Sequence, residues 1–185
     1  MVKRCEWSES EDMTKYHDTE WGVPVHNDKG LFEKVILEGA QAGLSWSTIL
    51  KRRENYRKAF ANFEVEKVSK FNEDDFDRLI NDEGIIRNKL KIRSAISNAK
   101  AFIEIQEGFG SFDKYIWGFV NNKTIVNNVK EMKDIPVNTL VSDAMSKDLK
   151  KRGFNFVGST ICYAFMQAVG LVNDHQVSCF RFKEV

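Results

Sequence analysis

The chain has 185 residues, of which 42% are hydrophobic and 30% charged, and its formal net charge is only +1. This length fits one domain with a substantial core, and two prolines and eleven glycines leave little material for a linker or a disordered tail. The composition therefore excludes a disordered chain, and the lack of any apolar run of about 20 residues excludes a membrane-spanning helix.

Helical periodicity runs through nearly the whole chain and predicts an all-α fold. Asp28 and Ser45 each suit an N-cap and precede apolar residues at helical spacing, so helices are predicted to begin there. Asn72 opens a third helix, whose acidic first turn suits the positive end of the helix dipole. A long helix is predicted over residues 88–107, where an apolar stripe recurs at spacings of three and four.

Two further helices are predicted over residues 142–152, with Ser142 as the N-cap, and over about 158–171. Residues 121–138 contain paired asparagines, one proline and no sustained period, so we interpret them as a long loop. We interpret the first twenty residues as irregular. The longest strand signal is the short segment TIVNNV, and no domain boundary is found, so a single domain over 1–185 is predicted.

The N-terminal segment and the cysteines indicate the compartment. No apolar run follows the basic residues near the N-terminus, so we expect no signal peptide. Three cysteines, an odd number, fit free or metal-bound thiols rather than disulfides. We therefore expect a cytoplasmic protein that does not act at a membrane, and we expect it to be a monomer.

One carboxylate falls on an apolar helix face. Glu38 shares its face with Leu31 and Val35, and burying a charge without a partner costs roughly several kcal/mol. Two interpretations stay open: a salt bridge to a basic helix, or a carboxylate on a pocket wall that accepts hydrogen bonds from a ligand's amino group. In the second interpretation, Gly39 and Gly43 would let a flat ligand approach the backbone.

Three aromatic residues favour the pocket. Tyr16, Trp21 and Trp46 lie near predicted caps and turns rather than within core stripes. A flat, electron-rich wall beside a buried anion suits a cationic aromatic ligand. The alternative for each residue is ordinary packing in the core.

Four possible metal ligands lie near the chain ends, namely Cys5, His17, His175 and Cys179. Two thiolates and two imidazoles form the ligand set of a closed, structural zinc site. The last two share one face if that end is helical, although such a spacing also arises by chance. If the two halves meet, one ion per chain joins the termini. Cys162, between apolar residues in a predicted helix, is assigned to the core.

Basic residues are concentrated at 51–58, 84–100 and 147–152, and the last cluster precedes a tight turn between two helical patterns. The backbone N–H groups that begin the second helix, at Gly158, suit a phosphate, and Lys150 and Arg152 stand beside them. The alternatives are a plain helical hairpin and solvated helix faces.

Several long strings resemble the DNA-3-methyladenine glycosylase I family of the helix-hairpin-helix superfamily: YHDTEWGVP, LEGAQAGLSW, GIIRNKLKI and KKRGFNFVGSTICYAFMQAVGLVNDH. The resemblance covers nearly the whole chain and is weakest from about 110 to 140. It implies an all-helical glycosylase fold, with zinc on the four ligands above joining the N- and C-terminal segments. It implies a base pocket of Tyr16, Glu38 and Trp46, with Trp21 and Trp7 nearby. It also assigns Leu44 as a wedge into the DNA stack.

Two positions depart from the superfamily pattern. Phe156 replaces the first glycine of the usual Gly-hydrophobic-Gly hairpin. Asn173 stands where the superfamily usually carries a catalytic aspartate. A strong general base is therefore not expected at that position.

The resemblance implies a monofunctional enzyme that flips 3-methyladenine out of alkylated double-stranded DNA and removes it by hydrolysis. Glu38 is the expected catalytic residue, since a base methylated at N3 is already cationic and needs no protonation to leave. No lysine nucleophile is predicted in the pocket, so strand cleavage is not expected. Two alternatives are a non-catalytic helix-hairpin-helix DNA-binding module with structural zinc, and a broad-range glycosylase that also accepts 7-methylguanine.

Overall fold

The fold, described by a computed structural model over residues 2–185, confirms the all-α class. Two strands of two residues each, β1 (Ile125–Val126) and β2 (Val172–Asn173), pair in parallel. No helix in the described range is both long and apolar enough to cross a membrane. In that range the α-helices are α1 (Glu11–Thr19), α2 (Asp28–Gln41), α3 (Trp46–Leu50), α4 (Arg53–Ala59), α5 (Val65–Val68), α6 (Glu73–Ile80), α7 (Lys89–Phe109), α8 (Phe112–Gly118), α9 (Leu140–Lys151) and α10 (Ser159–Ala168).

Three of the predicted helix starts are confirmed by side-chain caps. The Ser45 hydroxyl accepts the backbone N–H of Thr48 at 3.2 Å at the start of α3. Asn88 caps α7 in the same way. Asn72 forms a reciprocal capping box with Asp75 at the start of α6. Each cap satisfies a backbone donor that the first helical turn leaves without a partner.

Two predicted N-cap residues are wrong, although α2 and α9 form where helices were predicted. Asn27, not Asp28, caps α2, and the Asp28 carboxylate instead accepts the first two backbone N–H groups of α8, each at 2.9 Å. Thr139, not Ser142, caps α9, and Ser142 is the third residue of its capping box. In both cases a neighbouring residue with an equally good capping side chain lies just upstream.

Two segments interpreted as irregular contain regular structure. The first twenty residues include α1, which Ser10 caps and which begins with two acidic residues. Its buried residues are Tyr16 and His17, so it lacks the aliphatic stripe on which the prediction relied. Residues 121–138 are largely loop, as predicted, but include β1, which lies within TIVNNV and needs the distant β2 to form.

Helix α2 lies at the centre of the molecule and packs against α3, α7, α8 and α10. Nearly every residue from Leu31 to Ala40 is buried, with Glu33 as the exception. A helix that is buried on all sides carries any polar residue of its sequence into the interior. The central position of α2 therefore accounts for the burial of Lys34 and Glu38.

The turn between α9 and α10 forms the predicted helical hairpin. Gly153 has a φ of 92°, and Phe156 adopts a left-handed φ of 56° although it is not a glycine. Asn98 of α7 holds this turn, because its side chain exchanges two hydrogen bonds, of 2.8 and 2.9 Å, with the backbone of Asn155. A Cβ on Gly39 would lie 3.3 Å from the Phe156 Cβ. Gly39 thus permits helix–hairpin packing rather than the approach of a ligand, and that hypothesis is corrected.

Candidate active site

A cavity of about 280 Å³ lies between the N-terminal segment, α1, α2, α3, α10 and the turn near residue 132. This volume lies just below the range of roughly 300–1,000 Å³ found for drug-sized ligands, and therefore suits a single heterocyclic base. All five predicted pocket residues line the cavity. The lining consists of Trp7, Met13, Tyr16, Trp21, Glu38, Gln41, Trp46, Met132, Ile135, Ala164 and Gln167.

Glu38 is the charged residue of this lining, and only 4% of its surface is exposed. No lysine or arginine within residues 2–185 forms an ion pair with it, so the structure does not support the salt-bridge interpretation. Burial raises the pKa of Glu38 to about 8, and the nearby positive charge of Lys34 opposes that rise. The carboxyl group is thus available to a ligand, in an environment that penalises its negative charge.

Aromatic rings form the walls around this carboxyl group. The ring centroids of Tyr16 and Trp46 lie 5.3 Å apart, and those of Trp7 and Trp21 lie 4.9 Å apart in an edge-to-face arrangement. The indole N–H of Trp46 is buried and has no hydrogen-bond partner within the described residues. An unpaired buried donor is costly, so a ligand acceptor at this position would satisfy it.

A buried cation lies behind two of these rings. Lys34 is 7% exposed, and its Nζ lies 4.8 Å from the ring centroid of Tyr16 and 5.8 Å from that of Trp46. It pairs with Glu20 at 3.3 Å, and Glu20 also binds Arg53 at 2.6 Å. Lys34 does not line the cavity. This residue was not predicted, although its position four residues before Glu38 on one helix is a readable signal.

The four predicted metal ligands meet, although they come from opposite ends of the chain. All four are buried, and their ligand atoms lie within 4.8 Å of one another, an arrangement that could hold a metal ion. The Cys179 Sγ lies 3.4 Å from the His17 Nε2 and 3.7 Å from the His175 Nδ1, and the Cys5 Sγ lies 3.6 Å from the same His175 atom. Residues 175–179 are irregular, with a turn at 177–178, and do not form the helix considered for them.

The second nitrogen of each histidine ring is already occupied. The His17 Nδ1 lies 2.7 Å from the Asp18 carboxylate, and the His175 Nε2 lies 3.0 Å from the carbonyl oxygen of Trp21. Metal-binding histidines commonly use the other ring nitrogen in this way, because a donated hydrogen bond fixes the tautomer and the ring orientation. The remaining ring nitrogens lie within 4.8 Å of the two thiol sulfurs, and the His17 Nε2 also accepts the backbone N–H of Cys5 at 3.3 Å.

Asn173 and Asp174 do not reach the cavity. The Asn173 amide donates to the carbonyl oxygens of Phe182 and Val185, so it ties β2 to the C-terminal turn. Asp174 is buried and accepts hydrogen bonds from Tyr163 at 2.7 Å and from Gln167 at 2.8 Å. Gln167 lines the cavity, so Asp174 contacts the candidate site indirectly, through that side chain. This arrangement was not predicted.

Leu44 lies at an exposed turn beyond the C-terminus of α2, and it is 40% exposed. The preceding Gly43 has a φ of 76° and open space around it, which agrees with the predicted tight turn. The turn is held from α7, because the Lys91 ammonium donates to the carbonyl oxygens of Ala40 at 2.8 Å and Ala42 at 2.6 Å. An exposed leucine is therefore presented on a fixed turn.

The hairpin residues differ in how freely they can bind an anion. Lys150 is exposed. Arg152 is held by Asp148 at 2.7 Å, and its guanidinium lies 4.9 Å from the ring centroid of Phe109. Gly158 precedes α10 and no side chain caps that helix. Lys150 and the first N–H groups of α10 are therefore more available than Arg152.

Comparisons with known proteins agree with this geometry. A family model described as methyladenine glycosylase matches residues 7–182. The chain is 50% identical to DNA-3-methyladenine glycosylase 1 of Escherichia coli (strain K12) over 179 residues, which cover 96% of each chain. Its fold is similar to a crystal structure of 3-methyladenine DNA glycosylase I, with a TM-score of 0.94, 47% identity and coverage of 96% of this chain and 98% of that one. It is also similar, with a TM-score of 0.93, 34% identity and 97% of each chain covered, to a tyrosine-to-phenylalanine variant of such a glycosylase in complex with 3-methyladenine.

Proposed function

The chain belongs to the methyladenine glycosylase family, and we propose that it flips 3-methyladenine out of alkylated double-stranded DNA and excises it by hydrolysis. It does so as one domain over residues 1–185. The observation that carries this proposal is the buried carboxyl group of Glu38, which has no ion-pair partner among residues 2–185, inside an aromatic cavity. A carboxylate there complements a cationic base, and aromatic rings stack on its faces.

The reaction needs little acid catalysis. Methylation at N3 makes adenine cationic in DNA, so the base is already a good leaving group. The enzyme must extrude the nucleotide, at a cost of a few kcal/mol, roughly. It then binds the departing base and the developing sugar cation more tightly than the ground state. In this scheme Glu38 accepts hydrogen bonds from the amino side of the base, and Tyr16 and Trp46 supply stacking.

Proton linkage follows from the burial of Glu38. Since burial raises its pKa to about 8, much of the carboxyl group is protonated at neutral pH while the cavity is empty. A cationic base favours the ionised form, because an opposite charge at close range lowers the pKa of a carboxyl group. Binding of the lesion therefore releases a proton in part of the population.

Specificity and product follow from the same residues. Guanine presents an acceptor, O6, where adenine presents an amino group, so a fixed carboxylate disfavours 7-methylguanine. Lys34 lies behind the Tyr16 and Trp46 rings and is paired with Glu20, so it is not placed to attack a sugar carbon. We expect base removal without strand cleavage.

Zinc is the metal that fits the buried cluster best. Bond lengths of about 2.3 Å to sulfur and 2.0 Å to nitrogen separate the ligands of a tetrahedral zinc ion by about 3.5 Å. Three of the four sulfur–nitrogen distances, at 3.4 to 3.7 Å, are close to this separation and support that ion. With four protein ligands and no open position, one zinc ion per chain would be structural, and it would join the N- and C-terminal segments.

DNA binding uses three elements in this proposal. Leu44 enters the stack that the flipped nucleotide leaves. The N–H groups after Gly158 and the Lys150 ammonium bind phosphates. Arg152 contributes less, because Asp148 already neutralises its charge.

The replacement Glu38→Gln tests the function against the alternative of a DNA-binding module. It removes the charge and places a donor against the donors of the base, and a lost charge-assisted hydrogen bond is worth roughly 1.5–3 kcal/mol. Affinity for free 3-methyladenine should fall by about one to two orders of magnitude, and base release from methylated DNA should fall without vanishing. Affinity for undamaged DNA should barely change.

The matched control is Glu33→Gln, on the same helix but paired with Arg57 outside the cavity. It should leave base binding and release near the native values. Equal base binding and release by a folded Glu38→Gln protein and the native protein would refute the pocket assignment. A native protein that binds DNA but releases no base would instead favour the module.

A further inference from the structure

Lys34 is a buried lysine outside the cavity that nothing in the proposed reaction uses. It lies on α2, one helical turn before Glu38, and residues four apart on a helix have Cβ atoms roughly 5–6 Å apart. Its ammonium does not bond the Glu38 carboxylate and instead pairs with Glu20 at 3.3 Å. The rings of Tyr16 and Trp46 lie over it. A positive charge is therefore fixed beside the pocket without occupying it.

The charge beside the pocket is set by a small network. From α2 come Lys34 and Glu38. The end of α1 contributes Tyr16 and Glu20, α4 contributes Arg53, and α7 contributes Lys91 at the carbonyl end of α2. The lining residues from α3 and α10, which are Trp46, Ala164 and Gln167, carry no charge. Glu20 thus balances two cations, Lys34 and Arg53, and Glu38 faces the remaining positive charge.

We propose that Lys34 is a positioning residue for the excision reaction, which stabilises the ionised form of Glu38 and so makes the pocket competent for a cationic base at neutral pH. This inference rests on the proposed function, since it assumes that the ionised carboxylate binds the base. Lys34 acts through Glu38 and does not touch the ligand. The rings of Tyr16 and Trp46 lie over the ammonium and keep it away from a cationic lesion. The positive charge of Lys34 still acts on the carboxylate, because the medium between them has a low dielectric constant.

The direction of the effect follows from the charges. Burial raises the pKa of Glu38, and Lys34 is the group that opposes the rise. Without Lys34 that pKa goes higher, and a smaller fraction of the carboxyl groups is ionised at neutral pH. Glu20 raises the pKa of Lys34 against the effect of burial, and so helps to keep the ammonium charged. Any replacement that removes this ammonium should therefore raise the pKa of Glu38.

The test is the binding of free 3-methyladenine, followed by tryptophan fluorescence from pH 5.5 to pH 9.5, in the native protein and in four variants. Relative to the native protein, Lys34→Met should bind about tenfold more weakly at pH 7, and this ratio of affinities should return toward one at pH 9.5, because the pKa of Glu38 moves up by about one unit. Lys34→Arg should restore a ratio near one. Lys34→Gln should reproduce the loss and its pH dependence, because it also removes the charge. Lys29→Met removes an exposed lysine from the same helix and should change nothing.

The titration of the base itself is common to all five proteins, so a change in the ratio of affinities belongs to the protein. A ratio near one at every pH in both Lys34→Met and Lys34→Gln would overturn the inference, as would a loss of affinity in Lys34→Met that is equal at every pH. If Lys34→Met does not fold, the pH-dependent loss in Lys34→Gln still decides. Failure of the native protein to bind 3-methyladenine at any pH would refute the proposed function instead.

Discussion

At Glu38, the stability of the fold and the binding of the proposed ligand require opposite protonation states of the carboxyl group. The carboxyl group is buried in the centre of α2, where a negative charge is costly, yet the proposed ligand needs that charge. The conflict is expected at a binding site, because groups with strongly shifted pKa values gather where a ligand supplies the missing interaction. Without a ligand, the buried carboxyl group therefore lowers the free energy of unfolding relative to an apolar residue at the same position.

The cost of this carboxyl group gives a pH-dependent prediction. Glu38 has a pKa of about 8 in the folded chain and an ordinary value of 4.5 when unfolded. Its protonated form stabilises the fold fully below the lower value, and this stabilisation is lost as pH rises through the upper one. Relative to Glu38→Gln, the native protein should therefore lose unfolding free energy between about pH 5 and pH 8, by roughly 3–4 kcal/mol.

Denaturant unfolding of both proteins at pH 5 and pH 8 measures this difference. Other titrating groups are common to the two proteins, so they cancel in the comparison. A difference in unfolding free energy that is the same at both pH values would contradict the assigned environment of Glu38.

The environment of a residue could be predicted where it follows from the spacing of apolar residues along one helix. Glu38 stood out because it interrupts an apolar stripe, and Cys162 was assigned correctly to the core. Lys34 was not singled out, because its partners Glu20 and Arg53 lie on other elements. The environment of a buried charge depends on such tertiary neighbours, which spacing along one helix cannot reveal.

At the scale of elements, α7 fixes the relative positions of the two proposed DNA-binding parts. Lys91 holds the turn that presents Leu44, and Asn98 holds the hairpin at Asn155. One rigid helix therefore sets the distance between the wedge and the phosphate-binding hairpin. Such preorganisation lowers the cost of ordering these turns when DNA binds.

The hairpin leads to a prediction for DNA affinity. Lys150→Glu should weaken binding to damaged and undamaged duplexes alike and should flatten the dependence of affinity on salt, because phosphate contacts carry no lesion information. Affinity for free 3-methyladenine should stay native. The same replacement at Lys67, an exposed lysine on α5, serves as the control and should have a smaller effect.

Binding of both duplexes over a range of salt concentrations gives the slope directly. An equal loss of free-base affinity in Lys150→Glu would place this residue at the pocket and refute the hairpin assignment. If DNA affinity in that variant depends on salt concentration as steeply as in the native protein, Lys150 contacts no phosphate.

Elements with strong local signals were predicted well, and those without them were not. The N-cap and the apolar stripe of α7 are local features of the sequence. The predicted helix over 88–107 therefore nearly matches the observed helix. Helix α1 and strand β1 depend on distant partners: α1 packs aromatic residues against the chain end, and β1 exists only beside β2. Such elements form because of tertiary contacts, which local periodicity does not contain.

At the scale of the whole molecule, the two chain ends meet at the buried cysteine and histidine cluster. Hydrogen bonds support the junction, from the backbone N–H of Phe180 to the carbonyl of Lys3 at 3.0 Å and from that of Glu6 to the Gln176 side chain at 3.1 Å. The ligand types were readable from the sequence. Their meeting was not, because more than 150 residues separate the two halves.

The junction gives a prediction about metal. The purified protein should contain about one zinc ion per chain, and Cys5→Ser should lose both metal and stability while the remaining folded protein keeps its preference for 3-methyladenine. Cys162→Ser, in the core and outside the cluster, is the control and should keep its zinc. Elemental analysis and thermal unfolding provide the readouts.

Metal-free protein from a preparation without chelator would refute the zinc assignment. Loss of the preference for 3-methyladenine in the folded fraction of Cys5→Ser would show that the cluster does more than support the fold.

The identity of the bases released from methylated duplex DNA tests the central claim most directly. DNA treated with a methylating agent carries both 3-methyladenine and 7-methylguanine, so one incubation compares the two. After incubation with the native protein, chromatography of the released bases should show 3-methyladenine and essentially no 7-methylguanine, and the DNA strands should remain uncut. Release of no base, or of 7-methylguanine as a main product, would contradict the account of a pocket built around the Glu38 carboxylate.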